Sequence, residues 1–303
     1  MLAIIIPYFK LTFFEATLQS LANQTDKRFK VYIGDDASPE NPKALLEKYQ
    51  GQFNVVYHRF QENLGGTSLT QQWERCIALS RNETWLMILG DDDVLSENVV
   101  EKFYENVESI QAISKVIRFA TQKINHNQDV VSDIYLNPKI EIATDFLFRH
   151  TRSSLSEYMF CTERIKTIGF KDFPLGWFSD VLAVLEFSNF KEVNSINDAL
   201  VYIRISPISI SGKKDNLNLK AIATFEFYYY LLSQKSNYFT KNQNKLLFQK
   251  IENCYLNNKN EIILLIKITK IYFLNLLILD YIKFLKSIFL SVLNRTQKNE
   301  RRR

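Results

Sequence analysis

The chain has 303 residues, 46% of them hydrophobic and 23% charged, which describes a well-cored globular protein of one large domain or a domain with an appendage. The net charge of +5 does not point to nucleic acid: Arg295, Lys298, Arg301, Arg302 and Arg303 oppose Glu300 at the end, a local +4 that leaves +1 for residues 1–294. Cys76, Cys161 and Cys254 are few, odd in number and far apart, which speaks against a disulfide framework or a zinc site and for reduced thiols in a cytosolic compartment.

Residues 1–7 lack the basic start and long apolar core of a signal peptide, and read as a strand over 2–6 that Pro7 stops, because proline cannot continue a central ladder. Phe14, Leu18 and Leu21 then share one helical face. A second strand over 29–33 runs into Gly34-Asp35-Asp36-Ala37-Ser38, and a helix from about Pro42 leads to a third strand over 54–58. The turn Glu62-Asn63-Leu64-Gly65-Gly66 precedes a helix from Thr67 to about Ser80, and residues 85–89 form a fourth strand. This alternation predicts a mostly parallel, doubly wound α/β sheet. In such a sheet the turns after the strands share one edge, where ligands bind.

Further along, a helix is expected from Ser96 to about Glu108, strands over 114–121 and 122–125, a helix over 143–150 and a strand over 158–161. Residues 130–137 fit no element. A short helix opens at Thr162 or Glu163 and ends at Gly169. After the loop 172–176, Val181, Leu182, Leu185 and Phe187 mark another helix, and a strand over 199–205 is broken by Pro207. From Leu217 onward glycine and proline vanish, so the chain divides into a body, 1–211, and an all-helical extension, 212–303.

The most informative stretch is Trp85-Leu86-Met87-Ile88-Leu89-Gly90-Asp91-Asp92-Asp93. An apolar strand runs straight into three carboxylates at the sheet edge where a ligand belongs. Adjacent carboxylates repel, and Mg²⁺ or Mn²⁺, which bind one or two carboxylates together with substrate phosphates, would relieve the repulsion. The competing reading is a solvated acidic turn capping the next helix.

Five pieces in this order resemble family 2 glycosyltransferases of the nucleotide-diphospho-sugar transferase (glycosyltransferase-A) fold. They are the strand ending in Pro7-Tyr8, the Ile33-Gly34-Asp35-Asp36-Ala37-Ser38 turn, Asn63-Leu64-Gly65, Asp91-Asp92-Asp93, and Trp177-Phe178-Ser179-Asp180. The resemblance covers about residues 1–211. It implies inverting transfer of a sugar from a nucleotide donor, UDP-sugar foremost, to an acceptor hydroxyl. By resemblance, Asp35 or Asp36, with Asp36 preferred, accepts from the pyrimidine N3–H beside the Pro7-Tyr8 turn, while the Asn63–Gly65 turn belongs to the substrate site. The alternative for either aspartate is an Asx-turn or helix cap.

The resemblance further directs Asp91 to the ribose, Asp92 to a divalent metal (Mn²⁺ or Mg²⁺) and Asp93 to its support. Gly90 stands where the family more often has an additional Asp. Asp180 matches the family's general base, and equally suits the start of a helix, where a carboxylate is favoured by the dipole. Trp177 is a sugar platform or a core aromatic. Tyr202-Ile203-Arg204-Ile205-Ser206 resembles the family's Tyr-Arg-x-His region with Ser206 in the His position, and Arg204 is expected at the diphosphate. His58, His126 and His150 match no motif.

Function by resemblance is addition of a hexosyl or N-acetylhexosaminyl unit to a glycan or lipid-linked acceptor, in bacterial surface-polysaccharide (O-antigen or capsule) assembly. A sugar-1-phosphate nucleotidyltransferase is the enzyme alternative, but Pro7-Tyr8-Phe9-Lys10 lacks its glycine-rich loop. An inactive assembly module is the other. In the extension the longest charge-free run of 262–293 is 271–279, too short for a span of about 20 residues. Asp280, Lys283, Ser287, Ser291 and Asn294 share a helical face, with Tyr281, Phe284, Leu285, Ile288 and Val292 elsewhere. That helix either packs on the body or lies peripherally on the inner face of the cytoplasmic membrane, aided by the basic tail.

Overall fold

The structure, a computed structural model, describes residues 1–149, 153–209, 212–213, 215–258 and 261–300, with the backbone only for 292–300. His150 and the side chains of Val292, Asn294 and the basic tail lie outside the described residues. The chain forms two compact units, Met1–Asn216 and Leu217–Arg303.

In the first unit, β1 (Leu2–Tyr8) is followed by α1 (Phe14–Ala22), β2 (Phe29–Asp35), α2 (Lys43–Lys48), β3 (Asn54–Arg59), α3 (Leu69–Ile77), β4 (Trp85–Ile88), β5 (Val94–Leu95) and α4 (Val99–Ile110). The remainder comprises β6 (Val116–Ile124), β7 (Ile140–Ile142), α5 (Ala143–Phe146), β8 (Tyr158–Cys161), α6 (Thr162–Ile168), α7 (Ser179–Phe187) and β9 (Glu192–Arg204). These strands build one mixed sheet in the order β3-β2-β1-β4-β8-β6-β9-β5, with β7 paired on β9. It is parallel from β3 to β4 and again between β6 and β9. Alternate side chains of β1 (Leu2, Ile4, Ile6, Tyr8) pack with Phe14, Leu18 and Leu21 of α1 in the core. Both faces of β1 and β4 are buried, as near-continuous apolar runs in a covered sheet require.

Several expectations need correction. Pro7 does not end β1; it pairs in register with Gly34. The Ile5 carbonyl accepts from Leu89 on the β4 side and the Tyr8 carbonyl from Asp36 on the β2 side. The Pro7 nitrogen therefore faces β4, whose pairing with β1 stops at Ile5–Ile88, and no ladder donor is lost. The two strands expected over 114–125 are one, β6. The helix expected from 143 is only four residues long, α5. β9 reaches back to Glu192 through a register shift against β6.

β8 runs antiparallel to β4, with Met159 opposite Met87 and Cys161 opposite Trp85. It therefore starts at the edge where β4 ends, which lays the 153–157 turn over the aspartate turn. β9 runs against β5, so its end, Arg204, arrives at the same place.

The second unit holds α8 (Leu217–Gln234), α9 (Lys241–Asn257), α10 (Ile262–Leu274) and α11 (Ile278–Glu300). Thr240 and Gln243 form a capping box that starts α9. Phe284 is buried against Tyr255 and Tyr272, whereas Leu285 is exposed, so the apolar residues of α11 lie on two sides of the helix. Among the described residues no helix is long and apolar enough to cross a membrane.

Candidate active site

The carboxyl ends of β1, β2 and β4 open onto a cleft of about 810 Å³. Asp35 and Asp36 at the end of β2 have separate surroundings. Asp35 is fully buried outside the cleft; it accepts from the Ser38 amide at 2.8 Å, from Arg59 at 2.8 Å and from the Tyr57 hydroxyl. The bond to the amide three residues on holds the turn after β2, and both oxygens are engaged. Asp36 lines the cleft. Its Oδ1 accepts from the Leu64 amide at 2.7 Å and from Arg75, and its Oδ2 from the Gly65 amide at 2.9 Å. Burial pushes its carboxyl up, with those amides and Arg75 pulling the other way. The Asn63–Gly66 turn is closed by the Asn63 side chain, which accepts from the Gly66 amide at 2.7 Å. Asn63, Gly65 and Pro7 line the cleft; Tyr8 lies in the core, its hydroxyl donating to the Glu40 carbonyl at 2.9 Å.

The three aspartates after β4 all line the cleft, with different freedom. Asp91 Oδ2 accepts from the Phe9 and Lys10 amides, both at 2.8 Å, and so ties the ends of β1 and β4. Asp93 is buried; one oxygen accepts from the Arg204 amide at 2.9 Å and the other from Ser156 Oγ at 2.6 Å. Among the described residues the Asp92 carboxylate accepts no hydrogen bond. Burial pushes Asp92 well above the usual carboxylate range, and the charges of Asp93 and Asp91 push it further.

Such a carboxylate calls for a cation. Among the described residues no three acidic, His or Cys side chains form a metal cage. Asp92 joined by a bound diphosphate nevertheless fits Mg²⁺ or Mn²⁺, which take one or two carboxylates and fill their shell with phosphate and water.

Arg204 closes this wall. Its Nε donates to the Asp92 carbonyl and one terminal nitrogen to the Asn125 carbonyl, each at 2.8 Å, while the guanidinium sits 4.5 Å from the Phe13 ring centroid. Its remaining terminal nitrogen is buried and, among the described residues, has no partner, a donor that an anion in the cleft would satisfy. Ser206, in the expected His position, is also buried, and its hydroxyl has no partner among the described residues.

Across the cleft, Asp180 is the second residue of α7. The chain reaches it through three left-handed backbone positions, Leu175 (φ 63°), Gly176 (φ 61°) and Phe178 (φ 69°). A cost of about 1–3 kcal/mol accompanies such a non-glycine residue, and it fixes where the helix begins. Ser153 Oγ donates to Asp180 Oδ2 at 3.2 Å and lies 3.0 Å from the Tyr158 hydroxyl. Trp177 lines the same end. The sequence reading missed Lys10, Phe13, Arg149 and Ser153, which also line the cleft. Lys10 was recoverable as the basic residue after the Pro7-Tyr8 turn. Arg149, whose terminal nitrogen donates to Glu141 at 2.9 Å, is far from every motif and left no signal.

Residues 3–171 match a family model described as Glycosyl transferase family 2. The chain is 27% identical over 95 residues to Glycosyltransferase GlyG of Streptococcus pneumoniae serotype 4, a match spanning 31% of each protein. It also resembles S. aureus TarS 1–349 in complex with UDP-GlcNAc, with a TM-score of 0.64 and 14% identity over 84% of this chain and 72% of that one. The same TarS segment without ligand gives a TM-score of 0.61 at 13% identity, with the same coverage. The TarS likeness establishes the nucleotide-sugar transferase fold.

Proposed function

Because the chain belongs to glycosyl transferase family 2, we propose that it transfers a sugar, with inversion, from a UDP-sugar to a hydroxyl of a glycan or lipid-linked oligosaccharide. The observation that carries this reading is one cleft holding Asp36, Asp92, Arg204 and Asp180. TarS bound to UDP-GlcNAc has the same fold and supports a UDP donor, with a hexosyl or N-acetylhexosaminyl unit to transfer.

In the reaction Asp36 accepts from the imide N–H of uracil beside Pro7, its carboxylate aimed by the Leu64 and Gly65 amides. The unmatched Arg204 nitrogen donates to the diphosphate, and Trp177 provides a wall for the sugar. Asp180 takes the proton from the acceptor hydroxyl as its oxygen bonds to the anomeric carbon from the face opposite the leaving group. The bond from that carbon to the β-phosphate oxygen breaks, and the electron pair leaves on the nucleoside diphosphate. A divalent cation held at Asp92, with Asp93 fixing the turn behind it, supplies charge neutralisation to the departing diphosphate when bound.

The role belongs to surface-polysaccharide assembly on the cytoplasmic side, with peripheral membrane attachment aided by the net +4 of residues 295–303. A panel of nucleotide-sugars assayed for hydrolysis with and without Mn²⁺ tests the activity. Metal-stimulated turnover of one or a few UDP-sugars is expected; turnover of none, with no UDP binding, overturns the reading.

A further inference from the structure

Within the unit Leu217–Arg303, the turn between α10 and α11 presents a run of apolar side chains to solvent, although Phe273 also packs on Tyr281 of α11. Residues 271–279 carry no charge. Phe273, Leu274, Leu276, Ile278 and Leu279 are all exposed, Leu276 to 84% and Leu279 to 75%. The exposure continues along α11 at Ile282, Leu285 and Phe289, spaced four, seven and eleven residues from Ile278 and so on one helical face. Phe284, packed on Tyr255 and Tyr272, shows that the inward side is already satisfied. Single exposed leucines are ordinary, but a contiguous apolar tip with a stripe behind it marks a contact surface.

A second observation concerns the backbone. Leu276 holds φ 55°, the left-handed region that disfavours side chains other than those of glycine and asparagine. Folding and solubility alike favour glycine or asparagine at this place. A leucine there is explained by contact with something outside the chain.

The third is charge. Lys270, Lys283 and Lys286 flank the tip; between residues 267 and 290 the single acid is Asp280, which pairs with Lys283 at 2.7 Å, and Glu252 lies on the inward side, where it accepts from Tyr272. Lys270 and Lys286 are exposed and have no ion-pair partner among the described residues.

We propose that the α10–α11 turn inserts its aliphatic side chains into the surface of an anionic lipid bilayer, with Lys270 and Lys286 at the headgroups. This deepens the peripheral attachment proposed above and assigns it a site separate from the basic tail. Long aliphatic side chains at a turn need no shape-matched groove in a fluid layer, and lysine stems lie along apolar surface while the ammonium reaches water and phosphate. A second copy meeting this face would set its own lysines against these, so a negatively charged partner is favoured.

The experiment is co-sedimentation of the full chain with phosphatidylcholine vesicles, with and without phosphatidylglycerol, at low and high salt. Binding to the anionic vesicles, only partly released by salt, is expected. Leu276→Asp with Leu279→Asp should lower partitioning at least tenfold at both salt levels, because aspartate tolerates the left-handed backbone while the inserted area is lost. Lys270→Glu with Lys286→Glu should weaken binding at low salt and matter little at high salt. As a readout free of any lost-fold argument, Leu276→Trp should be quenched by brominated lipid beyond the wild-type protein. Wild-type partitioning of the double aspartate variant overturns the insertion site and leaves attachment by the basic tail standing. No binding at low salt overturns both, as does a dimer that Leu276→Asp dissociates while vesicles are ignored. Hydrolysis of the nucleotide-sugar, followed without vesicles in the same samples, should be unchanged; its absence in the wild-type chain counts against the transferase reading and leaves the vesicle result intact.

Discussion

Asp36 and Gly65 are fitted to each other. The Gly65 amide donates to Asp36 Oδ2 at 2.9 Å, and a Cβ on Gly65 would stand 2.5 Å from that oxygen. The carboxylate sits where it does because residue 65 has no side chain.

Gly65→Ala should therefore displace the Asp36 carboxylate without opening the core. A hydrogen bond to a charged group is worth about 1.5–3 kcal/mol, so UDP affinity should fall about 10- to 100-fold. Isothermal calorimetry with UDP checks this. Unchanged affinity would remove Asp36 from the base-recognition role.

Asp92→Asn removes a carboxylate whose charged form is disfavoured by burial and by Asp93 and Asp91. In metal-free buffer at neutral pH the variant should be the more stable protein. Relief of about 1 kcal/mol raises Tm by about 2–4 °C in a domain of this size. With Mn²⁺ and UDP the order should reverse, since the wild-type protein alone gains a bound cation. Scanning calorimetry with and without both ligands measures it. A variant stabilised by Mn²⁺ and UDP as much as the wild type would place the metal elsewhere.

The alternation of strands and helices was legible up to β4 because each element there is coded locally, by an apolar run and a following helical face. Beyond β4 the local code weakens. The antiparallel entry of β8 depends on a turn that caps the aspartate loop; Ser154-x-x-Glu157 marks a capping box there, but no local signal places that turn over the aspartates. Asp93 read as a metal-side carboxylate beside Asp92, yet both its oxygens are engaged, one by the amide of Arg204, 111 residues away. Local sequence shows that three acids are adjacent; it does not show which one the far end of the chain will neutralise. Asp35 and Asp36 separated for the same reason, since Arg59 and Tyr57 arrive on β3 to claim Asp35. On α11 the helical spacing separated polar from apolar residues but did not show that, among the described residues, Phe284 is buried while Leu285 is exposed.

The thiol of Cys76, on α3, is buried against β2, and burial pushes its pKa up to about 12. Thiolate is the reactive form, and at pH 8 its fraction at such a site is on the order of 10⁻⁴. Cys76 should therefore resist alkylation in the folded protein and react promptly on denaturation, as peptide mass mapping would show. Fast native labelling of Cys76 would mean that α3 opens readily.

The general-base assignment makes the sharpest demand on the site. A base acts on the acceptor, so Asp180→Asn should leave UDP affinity within about twofold and lower transfer by about 10²–10⁴-fold. Ser153 holds Asp180 by one hydrogen bond of 3.2 Å and touches Tyr158 behind it, which makes it a positioning residue. Ser153→Ala should therefore lower kcat by a smaller factor, about fivefold for a bond worth about 1 kcal/mol, and leave KM for the donor unchanged. Combined with Asp180→Asn it should cost nothing further, because there is no longer a base to aim. Additive losses in the double variant would show Ser153 working through a different group. Equal losses of UDP binding and turnover in Asp180→Asn would make Asp180 part of the donor site, and the proton acceptor would have to be sought elsewhere along the cleft.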